Sequence, residues 1–193
     1  MTAANTLRWW PPVGILAMVA LGLAVGHGST PLDDWFIRAG GSHPALGELL
    51  WFTYPPVLQI LLVAAVVIAL YRRRWRVAAA VALTPLTGVL AERLLKWLFG
   101  REREGALSYP SGHVTVMVAV LGMVVLAVGV KAWLVSAAAV FALLGLLGQS
   151  FTYHYFTDTI GAAFLGTALV CVAYWAAKLD RCQPRCDLDH SGG

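Results

Sequence analysis

Charged residues are scarce in this chain. They make up 12% of its 193 residues, whereas 59% are hydrophobic, and no long polar segment separates one apolar run from the next. A water-soluble domain of this length has too few charges here to cover so much apolar surface, which excludes an ordinary soluble protein. It also excludes a separate soluble domain. The composition therefore predicts a single integral membrane domain.

A strict alternation of apolar and polar residues is absent too. The apolar runs are continuous, and each is close to the roughly 20 residues that cross a bilayer as a helix, so helices are predicted and a barrel is not. The predicted spans are residues 10–26, 46–71, 77–98, 113–130, 132–148 and 158–178. The predicted fold is an all-α bundle of six transmembrane helices over residues 1–180, with a short tail over 181–193. Pro55 and Pro56 are expected to kink the second span.

Cysteine is rare, with three in the chain. Cys171 falls in the last predicted span, where we expect a small apolar residue. Cys182, Cys186 and His190 form a loose C-x3-C-x3-H pattern in the tail, which is weak as a metal site, so a reduced and solvated tail is the preferred interpretation. No metal and no cofactor are predicted.

Lysine and arginine are divided unevenly between the two ends of the spans. The richer end carries Arg8, Arg72, Arg73, Arg74, Arg76, Lys131, Lys178, Arg181 and Arg185, and the poorer end carries Arg38, Lys96, Arg101 and Arg103. The positive-inside rule places the richer end and both termini in the cytoplasm of a plasma or inner membrane. The loops over residues 28–44, 99–112 and 149–157 then face the exterior. The net charge of +4 is mainly a topology signal, so nucleic acid is not expected as a partner.

The first exterior loop contains the stretch STPLDDWFIRAGG, which predicts a short interfacial helix. Thr30 can cap this helix, Pro31 suits its first position, and Asp33 and Asp34 favour its positive end. A cation held between the two aspartates is a less favoured alternative.

The polar residues that remain are concentrated at the poorer face. They lie at the end of the third span, at the start of the fourth and at the start of the sixth: Lys96, Arg101, Arg103, Ser111, Gly112, His113, His154 and Asp158. Because the positive-inside rule should leave this face poor in cations, the charges kept there indicate a functional site.

These residue types suit a phosphate. Lys96, Arg101 and Arg103 would attract a multiply charged oxyanion, and the planar fork of arginine matches phosphate oxygens. A helix that starts at Ser111 and Gly112 offers free N–H groups and the positive end of its dipole, and glycine lets the backbone come close to a ligand.

The two histidines suit a covalent reaction. His154 and Asp158 are four residues apart and would share one face if the helix includes both. The carboxylate can then fix the imidazole tautomer and make the other ring nitrogen a nucleophile, while His113 protonates the departing oxygen. This pattern favours phosphoryl transfer through a phosphohistidine without a metal.

Each residue also has a purely structural interpretation. Lys96 can be an interfacial anchor that pairs with Glu92, Ser111 can be an ordinary N-cap, and His154 with Asp158 can be a tie at a helix end. The lone loop histidines, His27 and His43, are left out of the site. The gathering of the other groups on one face favours the site.

With these motifs the sequence resembles the type 2 phosphatidic acid phosphatase family of membrane lipid phosphatases. That family carries a lysine, six residues, then Arg-Pro; a Pro-Ser-Gly-His motif; and Ser-Arg, five residues, His, three residues, Asp. Lys96 and Arg103 match the first spacing, PSGH at residues 110–113 is intact, and His154 and Asp158 match the last spacing. The resemblance implies His154 as nucleophile with Asp158 as its orienting partner and His113 as acid. It also implies a phosphate site at Lys96, Arg103, Ser111 and Gly112.

Two departures from the family pattern stand out. Glu102 and Glu104 replace prolines and would weaken the hold of Arg101 and Arg103 on phosphate by pairing with them. The arginine of the third motif would fall at Gly148, and its serine at Leu147. Arg101 or Gln149 would have to replace that arginine, and restoring arginine at position 148 is predicted to raise the rate.

The resemblance implies an enzyme that hydrolyses a lipid phosphate. The substrate would be a polyprenyl phosphate, a polyprenyl pyrophosphate or a phosphatidate-like lipid, and it would enter the site from the bilayer. A phosphotransferase would use the same residues, and a binder or transporter of lipid phosphates without turnover is the alternative of a different class. The oligomeric state is not predicted.

Overall fold

The structure is a computed structural model that describes residues 3–177, with side-chain surroundings described from Arg8 onward. The tail residues Cys182, Cys186 and His190 lie outside the described residues. Seven α-helices, one 3-10 helix and one two-stranded hairpin make up the described part. The helices are α1 Ala3–Val25, α2 Pro31–Ser42, the 3-10 helix Pro44–Thr53, α3 Pro55–Tyr71, α4 Trp75–Phe99, α5 Gly112–Val128, α6 Ala132–Phe151 and α7 Phe156–Ala176. The strands are β1 Glu102–Arg103 and β2 Ala106–Leu107, paired antiparallel.

Five helical segments are long and apolar enough to cross a membrane. They are Arg8–Val25, Pro44–Tyr71, Trp75–Phe99, Ala132–Phe151 and Phe156–Ala176. The sixth apolar helix, α5, has 17 residues. The all-α prediction is confirmed, and the number of spans stays a prediction.

Helix α5 lies at the centre of the bundle, where it packs against α3, α4, α6 and α7. Its buried residues recur along its whole length, from Val114 to Ala127. A helix surrounded by other helices is apolar on all sides, which explains why α5 shows no polar stripe.

The second predicted span is broken rather than kinked. The 3-10 helix ends at Thr53, Tyr54 is extended with φ −63° and ψ 120°, and α3 begins at Pro55. Proline has no backbone N–H to donate, and its fixed φ suits the first position of a helix. The proline pair therefore starts a helix, and the expected kink is wrong.

Large apolar side chains cover the outside of the bundle. Leu23 on α1, Ile60 on α3 and Leu94 on α4 are 72%, 69% and 73% exposed. An apolar exterior of this extent suits lipid, because a water-soluble protein rarely shows large contiguous apolar patches. The chain is an integral membrane protein.

Helix α2 forms as predicted, with Thr30 as its N-cap. The Asp33 amide donates to Thr30 Oγ1 at 3.2 Å, and the Thr30 amide donates to Asp33 Oδ2 at 2.9 Å, which completes a capping box. Phe36 of α2 stacks on Phe156 of α7 with ring centroids 4.3 Å apart. These contacts hold α2 against the end of the bundle where the candidate site lies.

Candidate active site

The two histidines face each other at one end of the bundle. His113 is the second residue of α5, and its side chain is exposed. His154 lies in the turn before α7, where its amide donates to the Gln149 carbonyl at 2.9 Å and its side chain is buried. The two ring centroids are 6.4 Å apart with planes inclined by 59°. A small group can therefore contact both imidazoles.

Asp158 lies beside the imidazole of His154, although the two do not share a helix face. Helix α7 begins at Phe156, after His154, so the condition for a shared helix face is not met. Asp158 Oδ2 accepts from the Tyr155 amide at 3.2 Å and lies 3.7 Å from His154 Nδ1. This distance is too long for a hydrogen bond. It is an ion-pair distance once the imidazole is protonated.

The other oxygen of Asp158 belongs to a buried network around Arg101, whose side chain is fully buried. Arg101 Nη1 donates to Asp158 Oδ1 at 2.6 Å and to Thr157 Oγ1 at 2.7 Å. Arg101 Nη2 donates to Asp33 Oδ2 at 2.9 Å, and Nε and Nη2 both donate to the Gly28 carbonyl, at 3.1 and 2.7 Å. The five N–H groups of a guanidinium are thus all used.

Arg101 therefore has a different environment from the one predicted for it. It was predicted to bind phosphate and to stand in for the missing arginine at Gly148, but it has no N–H group left for a ligand. It does not pair with Glu102 or Glu104 in the described chain either, since its ion-pair partners are Asp33 and Asp158. We infer that Arg101 is a buried structural residue whose ion pairs orient Asp158.

Asp33 of helix α2 is the second carboxylate that pairs with Arg101. Its Oδ1 accepts from the Thr157 amide at 2.9 Å, and its side chain is fully buried. Burial alone would raise the pKa of Asp33, but the amides of Thr157 and Thr30, the Thr30 hydroxyl and the Arg101 guanidinium together hold that pKa below its ordinary value. Asp33 is therefore a buried, ionised carboxylate.

Arg103 differs from Arg101 in having a free donor. Its side chain is 9% exposed, and Nη2 donates to the Thr152 carbonyl at 2.8 Å. Glu104 is 3.7 Å from Arg103 Nε and 82% exposed, so this ion pair is a weak competitor for the guanidinium. Nη1 is buried and has no hydrogen-bond partner within residues 3–177.

Ser111 occupies the N-cap position of α5, but its hydroxyl does not cap the helix. The Ser111 amide donates to the Asp158 carbonyl at 3.2 Å, which joins the start of α5 to the first turn of α7. Ser111 Oγ is buried without a hydrogen-bond partner among the described residues. The first N–H groups of α5 have no intrahelical partner, so the hydroxyl and these amides form a group of free donors at the start of the helix.

Tyr109 holds this helix start in place. Its side chain is fully buried, and its hydroxyl donates to the Met18 carbonyl of α1. The ring packs edge-on against Phe99 at 5.0 Å, and a Cβ added at Gly161 would lie 2.6 Å from the ring. Burial raises the pKa of Tyr109. The uncharged Tyr109 side chain therefore fixes the segment before α5 to helix α1.

Lys96 lies beside Glu92, with Nζ 3.2 Å from Oε2, as the structural interpretation expected. Both residues line a cavity of about 330 Å³ together with Gly112 and His113. The close approach at Gly112 is to Glu92, since an added Cβ would lie 3.0 Å from its carboxyl carbon. Below this polar end the cavity is mainly apolar, and its lining there consists of Leu58, Gln59, Leu62, Val89, Val116 and Val120.

Gly148 has no room for the arginine that the family pattern places there. A Cβ added at this position would lie 2.6 Å from the backbone carbon of Leu49 in the 3-10 helix. The predicted gain from an arginine at position 148 is therefore withdrawn, since any side chain would displace the 3-10 helix. Gln149, the other candidate replacement, donates to Thr53 Oγ1 at 2.7 Å.

The structure thus brings seven predicted residues to one end of the bundle and places an eighth, Arg101, behind them. The seven are Lys96, Arg103, Ser111, Gly112, His113, His154 and Asp158. Sequence reasoning missed Asp33 and Thr157 as partners of Arg101. The only signal for Asp33 was a carboxylate in an exterior loop, which the helix start explained equally well.

The fold is similar to that of a solved membrane protein. The chain is similar to the crystal structure of the first transmembrane PAP2 type phosphatidylglycerolphosphate phosphatase from Bacillus subtilis, with a TM-score of 0.75 and 22% sequence identity. The similarity covers 91% of this chain and 100% of that one. No protein-family model matches the sequence, and no curated protein matches it either.

Proposed function

We propose that the chain is a membrane lipid phosphatase that hydrolyses a phosphate ester of a lipid through a phosphohistidine. One observation carries the proposal: among the described residues, Arg103 Nη1 and Ser111 Oγ are buried without hydrogen-bond partners at the end of the bundle where His113 and His154 face each other. Buried polar atoms are nearly always satisfied in proteins, and a phosphate group supplies several acceptor oxygens for donors of this kind. The PAP2 type fold supports the same class of reaction.

In the first step His154 attacks phosphorus. Its Nδ1 faces Asp158, so Nε2 is the nucleophile, and Asp158 stabilises the positive charge on the ring as the N–P bond forms. The bond from phosphorus to the lipid oxygen breaks, and His113 gives that oxygen a proton, so that a neutral alcohol leaves.

In the second step water attacks the phosphohistidine. His113, now neutral, takes a proton from the water, the N–P bond breaks, and inorganic phosphate and free His154 result. Lys96, Arg103, Ser111 and the helix start of α5 stabilise the charge on the equatorial oxygens in both steps. The proposal contains no metal step.

The substrate enters from the bilayer. The cavity between α3, α4 and α5 is polar at Lys96 and apolar at Leu62 and Val120, which suits a phosphate at headgroup level with its hydrocarbon between the helices. We place the site on the exterior face of a plasma or inner membrane, because the opposite face carries most of the arginines. Phosphatidylglycerolphosphate, named for the structural neighbour, is one candidate among glycerol- and polyprenyl-based phosphates.

Phosphate release from a panel of purified lipid phosphates tests the proposal. We expect wild type to release phosphate from at least one of them, and His154→Ala to lose activity by about 10³-fold or more because it lacks the nucleophile. His43→Ala, at an exposed histidine after α2, is the matched control and should keep wild-type activity. Release by His154→Ala at the wild-type rate, or no release from any lipid by wild type, would refute the proposal.

A further inference from the structure

Glu92 is an unusual residue for its position. It lies within a helix that is long and apolar enough to cross a membrane, and it is 7% exposed. Carboxylates at this depth are rare and generally functional. Among the described residues Lys96 is its only ion-pair partner, with Nζ 3.2 Å from Oε2, and that oxygen makes no hydrogen bond. The carboxylate lines the same cavity as His113, so the lone pairs that Lys96 does not engage can accept a hydrogen bond from a bound ligand.

The phosphate itself is not the partner of this oxygen. Phosphate and carboxylate are both anions, and at close range in a cavity of low polarity they repel each other. Lys96 can contact both anions, because its ammonium can bind a phosphate while it pairs with Glu92 at 3.2 Å. A further partner of the Glu92 carboxylate, beside Lys96, therefore has to be a neutral donor.

The depth of Glu92 indicates which part of a substrate supplies that donor. Glu92 precedes Lys96 by one helical turn, so it lies about 6 Å farther from the headgroup face along α4. Its carboxyl carbon is next to Gly112, at the level where α5 begins and where His113 would protonate the leaving oxygen. Glu92 is therefore close to the leaving group, between the phosphate and the hydrocarbon.

We propose that Glu92 selects lipid phosphates whose leaving group carries a free hydroxyl next to the phosphate ester. This inference rests on the proposed phosphatase function. A glycerol phosphate with an unesterified hydroxyl donates to the carboxylate and satisfies it. A polyprenyl phosphate offers only hydrocarbon there and leaves the carboxylate with Lys96 as its one partner, and a polyprenyl pyrophosphate brings a second anion towards it.

Two substrates that differ in one hydroxyl test this selection. We would compare 1-oleoylglycerol 3-phosphate with its 2-deoxy analogue, 3-oleoyloxypropyl phosphate, at equal mole fraction in detergent micelles. Because a hydrogen bond to a charged acceptor is a strong one, wild type should prefer the hydroxyl substrate by about tenfold or more in kcat/KM. The preference should fall close to one in Glu92→Ala and to an intermediate value in Glu92→Gln, whose amide oxygen is a neutral acceptor.

The controls separate this inference from the proposed function. Glu48→Ala removes an exposed carboxylate from the 3-10 helix and should keep the wild-type preference. If the Glu92 variants change kcat/KM for both substrates by one common factor, Glu92 only neutralises Lys96 and the inference is wrong, while the phosphatase proposal stands. If wild type releases phosphate from neither substrate and from no lipid of the wider panel, the phosphatase proposal itself is refuted. Glu92→Gln keeps the shape of the side chain and decides the question if Glu92→Ala does not fold.

Discussion

Two arginines of one short loop stack on the same tyrosine and yet have opposite environments. Arg101 and Arg103 lie with their guanidinium carbons 4.3 and 5.3 Å from the ring centre of Tyr155. Arg101 belongs to a tied cluster with Asp33, Thr157 and Asp158, in which all its donors are used. Arg103 and Ser111 lie at the same end of the bundle and form what we call the open cluster, because Arg103 Nη1 and Ser111 Oγ are buried without hydrogen-bond partners among the described residues.

This difference separates residues that hold the geometry of the candidate site from residues that have free donors for a ligand. A fully satisfied buried ion cluster stabilises one geometry, and here it holds the carboxylate next to His154. An unpaired buried group costs stability, so its presence at several neighbouring positions indicates a ligand. Variants in the tied cluster should therefore affect folding first, and variants in the open cluster should affect catalysis first.

The largest effect is expected from Arg101→Met. This change leaves Asp33 and Asp158 buried without their cation, which should lower the free energy of unfolding by about 3–5 kcal/mol and misplace Asp158. Thermal unfolding of the purified protein in detergent measures the loss. Arg38→Met, at an exposed arginine of α2, should leave the midpoint unchanged. A stable Arg101→Met protein with weakened phosphate binding would return Arg101 to the phosphate-binding residues.

A smaller effect, on activity alone, is expected from Ser111→Ala. The hydroxyl has no partner within the described protein, so its loss should leave the thermal midpoint unchanged. It should lower kcat/KM for a lipid phosphate by about 10- to 100-fold, since one hydrogen bond to an anion is lost.

Ser108→Ala is the matched control for Ser111→Ala. Its hydroxyl donates to the Arg101 carbonyl at 3.3 Å, so its removal should slightly lower the midpoint and spare the activity. The reverse pattern in the two variants would contradict the division between the clusters.

The smallest effect concerns the dependence of stability on pH. Because the pKa of Asp33 is lowered in the folded protein, its contribution is complete above the ordinary carboxyl pKa of about 3.9 and is lost as pH falls through the folded value. Asp33→Asn lacks this titration. The difference in thermal midpoint between wild type and Asp33→Asn should be constant from pH 7 to about pH 4 and shrink below that. A difference that changes between pH 5 and pH 7 would point to another group.

The sequence was sufficient to predict that the motif residues meet at one end of an all-α bundle. Ser111, His113, His154 and Asp158 stand at the ends of apolar runs, and alternating helix directions bring those ends together. The tie between Asp33 and Arg101 was not predictable, because the two lie 68 residues apart and Arg101 is as suitable for phosphate as Arg103. The crowding at Gly148 was equally hidden, since it depends on the backbone of Leu49 in a segment predicted as an ordinary span.

The cavity below Lys96 has a consequence for how the proposed phosphatase would meet its substrate. Its apolar walls lie between α3, α4 and α5, and the outer faces of α3 and α4 carry exposed leucine and isoleucine side chains. A lipid that enters by this route diffuses in two dimensions within the bilayer. Turnover would then be governed by the mole fraction of substrate in the surrounding membrane, so that dilution with neutral lipid slows the reaction while added buffer volume does not.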